Sequence, residues 1–214
     1  MNFKNKNILI TGATRGIGKS IAENLIPYNT NLILTGTNKD EVDKLNRLYS
    51  DKKNINYFQL DFLDIDSKEN FYKKLNEFDK IDICINNAGI NFVEDFIHSS
   101  KYDEISKVNI QGPYELLKLL GPKMIKNNYG RVVNIASIWS ISTKKGRSLY
   151  TMSKNALVGL TKTLSLEWAP NNILVNAVSP GFTITELTKK TNSKDELEKI
   201  KKNIPIGRLA NPSE

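Results

Sequence analysis

A tyrosine and a lysine four residues apart, Tyr150 and Lys154 in the segment LYTMSKNAL, could form a proton-transfer pair. On a helix, residues at this spacing lie one turn apart on the same face. A lysine close to a tyrosine favours tyrosinate and so makes the phenol a better acid–base group. The same spacing occurs at two other places: Tyr49 with Lys53, and Tyr114 with Lys118. Spacing alone therefore does not identify a catalytic pair.

A glycine-rich segment, TGATRGIG (11–18), follows the first apolar run of the chain and precedes an amphipathic stretch. Glycine permits positive φ and close approach of the backbone to a ligand. A helix that begins near Gly16 would direct unpaired N–H groups at a pyrophosphate. Because the spacing differs from the usual G-x-G-x-x-G, a plain strand-to-helix turn is the alternative. The position at the first strand–helix junction favours a dinucleotide site.

The end of the second apolar run, LTGTNKDE (34–41), indicates which dinucleotide binds. NAD sites usually have an acid there that binds the adenosine ribose. This chain has Thr37 and Asn38 instead, and we expect the first acid, Asp40, to cap the next helix. Arg15, inside the glycine-rich segment, can pair with a 2′-phosphate. The sequence therefore favours NADP (NADPH) over NAD.

The elements that must position these residues alternate between short apolar runs and helical patterns. That alternation is typical of an α/β fold with a doubly wound parallel sheet, which binds ligands beyond the carboxyl ends of its strands. We find no linker or repeat, so residues 1–214 are expected to form one domain. Pro113 predicts a kink in the fourth helical pattern. The apolar runs are 7–11, 31–35, 55–60, 81–85, 131–136 and 173–178, and the helical patterns are 17–27, 39–50, 67–78, 101–127, 150–168 and 185–202.

The composition narrows the classes of protein to consider. With 39% hydrophobic and 25% charged residues, no apolar run approaches the length of a membrane span. The net charge of +8 can attract nucleic acid, but the lysines are scattered among acids and no nucleic-acid motif is present. The single cysteine, Cys84, is typical of a reduced thiol in the cytoplasm, and the N-terminus lacks a secretory signal. We therefore expect a cytoplasmic protein with no membrane, metal or specific nucleic-acid partner.

Six segments together resemble the short-chain dehydrogenase/reductase family over nearly the whole chain. They are TGATRGIG (11–18), NNAG (86–89), VNIQG (108–112), NIAS (134–137), YTMSK (150–154) and VSPGFTIT (178–185). The resemblance implies a Rossmann fold. Family members normally continue beyond a segment like GRLANPSE (207–214) through a further helix and a seventh strand. We therefore expect this chain to be truncated relative to the family and to lack the last strand.

The resemblance also implies site residues. The catalytic tetrad would be Asn109, Ser137, Tyr150 and Lys154. Only Tyr150, among the three tyrosines above, has a serine 13 residues upstream at the end of an apolar run. The implied cofactor-binding residues are Gly12, Thr14, Arg15, Gly16, Ile17, Gly18, Thr37, Asp61, Phe62, Asn87, Ala88, Gly89, Tyr150, Lys154, Pro180, Gly181, Thr183 and Thr185.

The chemistry implied is reversible hydride transfer between the cofactor and a ketone or secondary alcohol. Tyr150 would protonate the oxygen, Ser137 would hold it, and Lys154 would lower the pKa of Tyr150. A protein that binds NADP as a sensor and has lost turnover is the alternative class. An intact tetrad argues against it.

The substrate is left open. The pattern is most similar to 3-oxoacyl-[acyl-carrier-protein] reductases, and positive charge suits an acidic carrier protein. Those reductases commonly have arginines where this chain has Asn128 and Asn171. Trp139 could instead cover a sugar, a polyol or another small substrate. The sole histidine, His98, is expected to be exposed. The resemblance further implies a homotetramer or homodimer that uses the helices near 101–127 and 150–168.

Overall fold

The computed structural model describes residues 3–214. In this range a single parallel sheet contains six strands, in the order β3-β2-β1-β4-β5-β6. The predicted single-domain, doubly wound α/β fold is confirmed. The strands are β1 (Asn7–Ile10), β2 (Asn31–Gly36), β3 (Ile55–Gln59), β4 (Ile83–Asn86), β5 (Gly130–Ile135) and β6 (Ile173–Val178).

Helices follow or precede each strand and cover both faces of the sheet. They are α1 (Gly16–Leu25), α2 (Lys39–Leu48), α3 (Ile65–Asn76), α4 (Tyr102–Ile105), α5 (Gly112–Lys126), α6 (Ser148–Glu167), α7 (Glu186–Lys190) and α8 (Lys194–Asn203). A π-helical turn, Ser106–Gln111, joins α4 to α5, and short 3₁₀ turns lie at Ile26–Tyr28, Ile138–Ser140 and Ala169–Asn171. No helix in the described range is long and apolar enough to cross a membrane.

Apolar residues of the strands feed two cores, one on each face of the sheet. In β1, Ile8 and Ile10 join one core and Leu9 the other, because successive side chains of a strand point to opposite faces. Val42 of α2 packs in the first core, and Leu120 of α5 packs in the second. Burial on both faces explains why the strands read as continuous apolar runs.

Two local predictions differ from the structure, and the segment before Pro113 has a feature that the sequence did not predict. The helical pattern 185–202 is two helices, because Ser193 forms a capping box with Glu196 and so begins α8. Asp40 does not cap α2. The cap is Asn38, whose side-chain oxygen accepts from the Glu41 N–H at 2.8 Å. Before Pro113, the structure has the π-helical turn, in which the Gly112 N–H donates to the Lys107 carbonyl five residues back.

Strands β1 and β4 are neighbours at the centre of the sheet, where the strand order reverses direction. In folds of this type the loops after two such strands diverge and leave a crevice at their carboxyl ends. The glycine-rich segment follows β1 and the NNAG segment ends β4. The fold therefore brings these two segments to one crevice.

Candidate active site

A cavity of about 370 Å³ lies at the carboxyl ends of the strands. The size is within the range of ordinary small-molecule sites. Of the site residues predicted from the sequence, all line this cavity except Gly18 and Asn109. The other two tyrosine–lysine pairs do not line it, and Tyr49 instead stacks on Tyr57 with ring centroids 6.2 Å apart.

The turn after β1 has the backbone that its glycines permit. Gly12 and Gly16 have φ of 65° and 57°, in the left-handed region that favours glycine. A Cβ on Gly12 would lie 3.0 Å from the Ala88 Cα, so the turn also packs directly on the loop after β4. The two segments can approach this closely only because residue 12 has no side chain.

Asn87 holds this turn in place. Its side-chain amide donates to the carbonyls of Thr11 at 2.9 Å and Gly12 at 3.0 Å. A Cβ on Gly18 would clash with that amide and with the Gly12 carbonyl. Gly18, predicted to bind the cofactor, therefore lies beneath the turn and allows it to close.

The first turn of α1 fits an anionic ligand. Its N-cap residue, Arg15, makes no side-chain cap, and the first turn has no acidic residue. The N–H groups and positive dipole end of α1 therefore face the cavity, and no side chain of the helix itself caps them. This arrangement fits the pyrophosphate of a dinucleotide.

The far rim of the cavity is where an adenosine would lie in a dinucleotide fold. Thr37, after β2, lines it and contributes no acid. The Arg15 guanidinium is 57% exposed and faces Glu186 at 3.5 Å and Glu41 at 4.0 Å. Such exposed ion pairs are weak, so Arg15 is available to a stronger anion. Asp61 also lines this rim, and one of its carboxylate oxygens accepts from the Leu63 N–H at 2.9 Å.

Ser137, Tyr150 and Lys154 come together at the near end of the cavity. Ser137 follows β5, and its hydroxyl oxygen accepts from the Trp139 N–H at 3.2 Å. Lys154 on α6 is buried, and its ammonium donates to the Ile135 carbonyl at 2.7 Å. The same ammonium lies 5.6 Å from the centroid of the Tyr150 ring.

The pKa values at this end are governed by burial. Burial lowers the pKa of Lys154 to about 8. Burial also raises the pKa of Tyr150, and hydrogen bonding by Ser137 and the positive charge of Arg147 act in the opposite direction. Among the protein groups, loss of solvent outweighs the nearby donor and charge, so the pKa of Tyr150 lies above its ordinary value.

Asn109 lies in the π-helical turn and connects two elements. Its side-chain oxygen accepts from the Ile90 N–H at 2.9 Å, and its amide donates to the Ile90 carbonyl at 2.9 Å and the Ser153 hydroxyl at 3.0 Å. Ser153 in turn donates to the Tyr150 carbonyl at 2.8 Å. These bonds use the whole amide group of Asn109. The residue therefore joins the loop after β4 to the helix that bears Tyr150.

Sequence reasoning missed Arg147, which is only 2% exposed and lines the cavity. The segment STKKGRS (142–148) has the composition of an exposed loop, so no signal marked this arginine as buried. One of its terminal nitrogens donates to the Thr191 carbonyl at 3.0 Å and the Asn192 side chain at 3.2 Å. Burial lowers its pKa.

Two aromatic residues form one wall of the cavity. Trp139 and Phe182 meet edge to face with ring centroids 5.7 Å apart. His98 is exposed, as expected, and lies outside the cavity. In the described range no group of three or more His, Cys, Asp or Glu residues could hold a metal ion.

Residues 6–196 match the family model of the short chain dehydrogenases. The chain belongs to the short-chain dehydrogenase family. A 3-oxoacyl-[acyl-carrier-protein] reductase of Aquifex aeolicus is similar to it at 36% identity over 220 residues, which covers 100% of this chain and 88% of the relative. An NAD-dependent glycerol dehydrogenase of Listeria innocua is 34% identical over 219 residues and is covered to 84%.

Among solved structures, ElxO with NADP bound is similar to the chain at 31% identity and a TM-score of 0.85. The similarity covers 98% of this short-chain dehydrogenase and 87% of ElxO. Together with the family match, it confirms the family and the fold expected from the six sequence segments. The protein is accordingly an oxidoreductase.

Proposed function

We propose that this short-chain dehydrogenase uses NADP to interconvert a ketone and a secondary alcohol. The observation that carries the proposal is the meeting of Ser137, Tyr150 and Lys154 with the glycine-rich turn in one cavity. NADP is favoured over NAD because β2 ends without an acid and Arg15 lies at the same rim. The Listeria relative is named as NAD-dependent and ElxO was solved with NADP, so the relatives do not decide between the cofactors. The preference for NADP therefore rests on Arg15 and on the lack of an acid at the end of β2.

The side chains have distinct tasks in this proposal. When bound, the nicotinamide supplies or accepts the hydride. The Ser137 hydroxyl would donate to the substrate oxygen and fix its position, and the Tyr150 phenol would transfer its proton to that oxygen. Because burial raises the pKa of Tyr150, the phenol is protonated at neutral pH, which suits the reductive direction. Lys154 would hold the cofactor ribose from beneath the phenol.

Two substrate classes deserve the first tests. A 3-oxoacyl thioester on a carrier protein is favoured by the Aquifex relative, and the net charge of +8 suits an acidic carrier. A polyol or keto-sugar is favoured by the Listeria relative, a glycerol dehydrogenase, and by the wall that Trp139 and Phe182 form. The proposal also includes a homotetramer or homodimer. A cytoplasmic location is part of it, since Cys84 is a free, buried thiol.

The test is oxidation of NADPH and of NADH against a panel of ketones that includes an acetoacetyl thioester and a keto-sugar. The control is Tyr150→Phe, which keeps the ring and removes the proton. We expect its turnover to fall at least about a hundredfold while NADPH binding persists. Near-wild-type turnover by this variant would contradict the assignment of Tyr150. NADPH binding without turnover of any ketone would indicate a sensor instead.

A further inference from the structure

Arg147 is a buried cation whose partners account for only part of its hydrogen-bonding capacity. Its Nη2 atom donates to the Thr191 carbonyl and the Asn192 side chain. Its Nε and Nη1 atoms are buried and have no hydrogen-bond partner. No carboxylate of the described residues lies within ion-pair distance of it. A buried guanidinium in this state is costly unless an acceptor joins it.

The acid whose charge acts on Arg147 is engaged elsewhere. Glu196 of α8 acts on Arg147 electrostatically. Its carboxylate, however, accepts from the Lys144 ammonium at 3.1 Å and from the Ser193 N–H at 3.0 Å. The protein therefore does not supply the anion that Arg147 lacks.

A second positive feature lies at the same place. Arg147 is the N-cap residue of α6, a helix of 20 residues, and its side chain does not cap that helix. The first turn of α6 contains no acidic residue. The residue at the positive dipole end of a long helix therefore also carries a partly unpaired guanidinium.

This point belongs to the chemistry end of the cavity. Arg147 precedes Tyr150 by three residues, so the two side chains start about one helical turn apart. Both line the cavity, and the charge of Arg147 acts on the Tyr150 phenol. In the proposed function, the glycine-rich turn and Arg15 bind the phosphates of NADP at the opposite rim. An anion at Arg147 would hence be part of the substrate and not of the cofactor.

We propose that Arg147 and the N-terminus of α6 bind an oxyanion of the substrate, the carboxylate of a short keto or hydroxy acid, beside the carbonyl that Tyr150 protonates. This inference rests on the proposed ketone–alcohol chemistry of the same cavity and narrows its substrate class. The Thr191–Asn192 segment, between α7 and α8, holds Arg147 from the other side and covers it. Because Nε and Nη1 are buried, the proposal requires that the residues covering them move when the substrate binds.

The test compares an acid with its neutral ester. Oxidation of NADPH is measured with acetoacetate, with methyl acetoacetate, with an acetoacetyl thioester and with a phosphorylated ketone. We expect the wild-type kcat/KM to be at least about tenfold higher for acetoacetate than for its ester. In Arg147→Gln, kcat/KM for the acid should fall about 10- to 100-fold, while that for the ester changes less than about threefold. Preference for the phosphorylated ketone over the acid would assign the oxyanion to a phosphate and overturn the carboxylate.

A matched variant distinguishes loss of anion binding from loss of the contact between Arg147 and the Thr191–Asn192 segment. Asn192→Ala removes one contact to Arg147 but keeps the guanidinium, so it should change the acid and ester rates by the same factor. Thermal unfolding with malonate gives a readout that does not require turnover. Malonate should raise the Tm of the wild type and of Asn192→Ala, but not that of Arg147→Gln. Arg147→Lys, which keeps the charge without the planar fork, should recover part of the malonate effect.

Several outcomes would overturn the inference. Equal wild-type rates for acid and ester, equal losses for both in Arg147→Gln, or no malonate effect on the wild-type Tm would each do so. If Arg147→Gln does not fold, the malonate effect on the Tm of Arg147→Lys and the wild-type ratio of kcat/KM for acid and ester test the inference. Failure of the proposed function has a different signature, namely that no member of the ketone panel is reduced by the wild type.

Discussion

At the scale of single residues, Arg15 is the side chain that can distinguish the two dinucleotides. Its side chain is more than half exposed and forms ion pairs with two glutamates, neither of them closer than 3.5 Å. Exposed pairs of this kind contribute about 0 to 1 kcal/mol, so exchange of a glutamate for a doubly charged phosphate is favourable. The same glutamates lie close to the proposed phosphate position and would weaken NADPH binding if Arg15 were absent.

Arg15→Ala should therefore weaken NADPH far more than NADH. We expect the Kd for NADPH to rise at least about tenfold, because a charge-assisted hydrogen bond of about 1.5 to 3 kcal/mol is lost. The Kd for NADH should change about twofold or less. Fluorescence titration of the purified protein with each cofactor measures both values. The control is Lys19→Ala, which removes a positive charge of α1 that pairs with Glu23 and does not line the cavity. Equal losses for both cofactors in Arg15→Ala would exclude a contact with the 2′-phosphate.

Burial shifts the pKa values of Lys154 and Tyr150 in opposite directions. Loss of solvent disfavours the charged form of each, so it lowers the pKa of the lysine and raises that of the tyrosine. Both groups are thereby biased towards neutrality. Because burial raises the pKa of Tyr150, the phenol keeps the proton that it would give to a substrate oxygen.

At the scale of elements, Asn109 joins three parts of the site through one amide. It lies in the π-helical turn, contacts Ile90 in the loop after β4, and contacts Ser153 on α6. A π-helical turn adds a residue to the helix and re-aims the side chains within it. Pro113, which has no N–H, follows directly and cannot continue the ordinary bonding pattern. The turn thus directs Asn109 inward and leaves α5 in its packed position.

Asn109→Ala should uncouple these parts and destabilise the fold. It leaves the half-buried Ile90 N–H and carbonyl without their side-chain partner, at a cost below the about 1 to 3 kcal/mol of a fully buried group for each. We expect a clear fall in the free energy of unfolding by urea and a fall in kcat. Ser153→Ala removes the contact to Asn109 and the bond to the Tyr150 carbonyl but keeps both bonds to Ile90, so it should destabilise the fold less. If Asn109→Ala is as stable as the wild type, the amide does not hold Ile90 as the structure indicates.

The sequence predicted elements best where one local pattern decides the structure. The run 31–35 forms β2, which is one residue longer. An apolar run between two helices is buried on both of its sides in a parallel sheet that helices cover on both faces. The glycine-rich turn was predictable for a similar reason, because positive φ at Gly12 and Gly16 restricts the residue type.

The features that sequence reasoning missed depend on contacts between distant segments. Arg147 is buried and bonded to the Thr191–Asn192 segment, and the neighbouring Gly146 carbonyl accepts from the Glu94 N–H at 3.2 Å. A polar, lysine-rich segment carries no local sign of that burial. In the predicted interface helix near 101–127, Leu116 and Leu117 are buried in the core. An apolar stripe on a helix does not by itself distinguish a core from an interface.

At the scale of the whole molecule, the exposed apolar surface is the feature that the single chain does not explain. Helices α5 and α6 leave Tyr114 50% exposed, Ile125 40% and Leu166 79%. All three lie on the two helices that the family resemblance implicates in assembly, and a groove between these helices includes Tyr114 and Ile125. Exposed apolar residues that cluster in this way are typical of interaction surfaces, and the groove with Tyr114 and Ile125 is the candidate here.

We therefore expect the protein to be a homotetramer or homodimer, with Tyr114 and Leu166 in a contact between subunits. The double variant Tyr114→Arg, Leu166→Arg should be smaller than the wild type by light scattering at micromolar concentration, because it would bury unpaired charges in the contact. Leu48→Arg is the matched control. Leu48 is 67% exposed, but it lies on α2, which packs on the opposite face of the sheet, so this variant should keep the wild-type mass. A wild-type protein that is monomeric at this concentration would contradict the prediction, and a fall in mass in Leu48→Arg would move the contact to the other face.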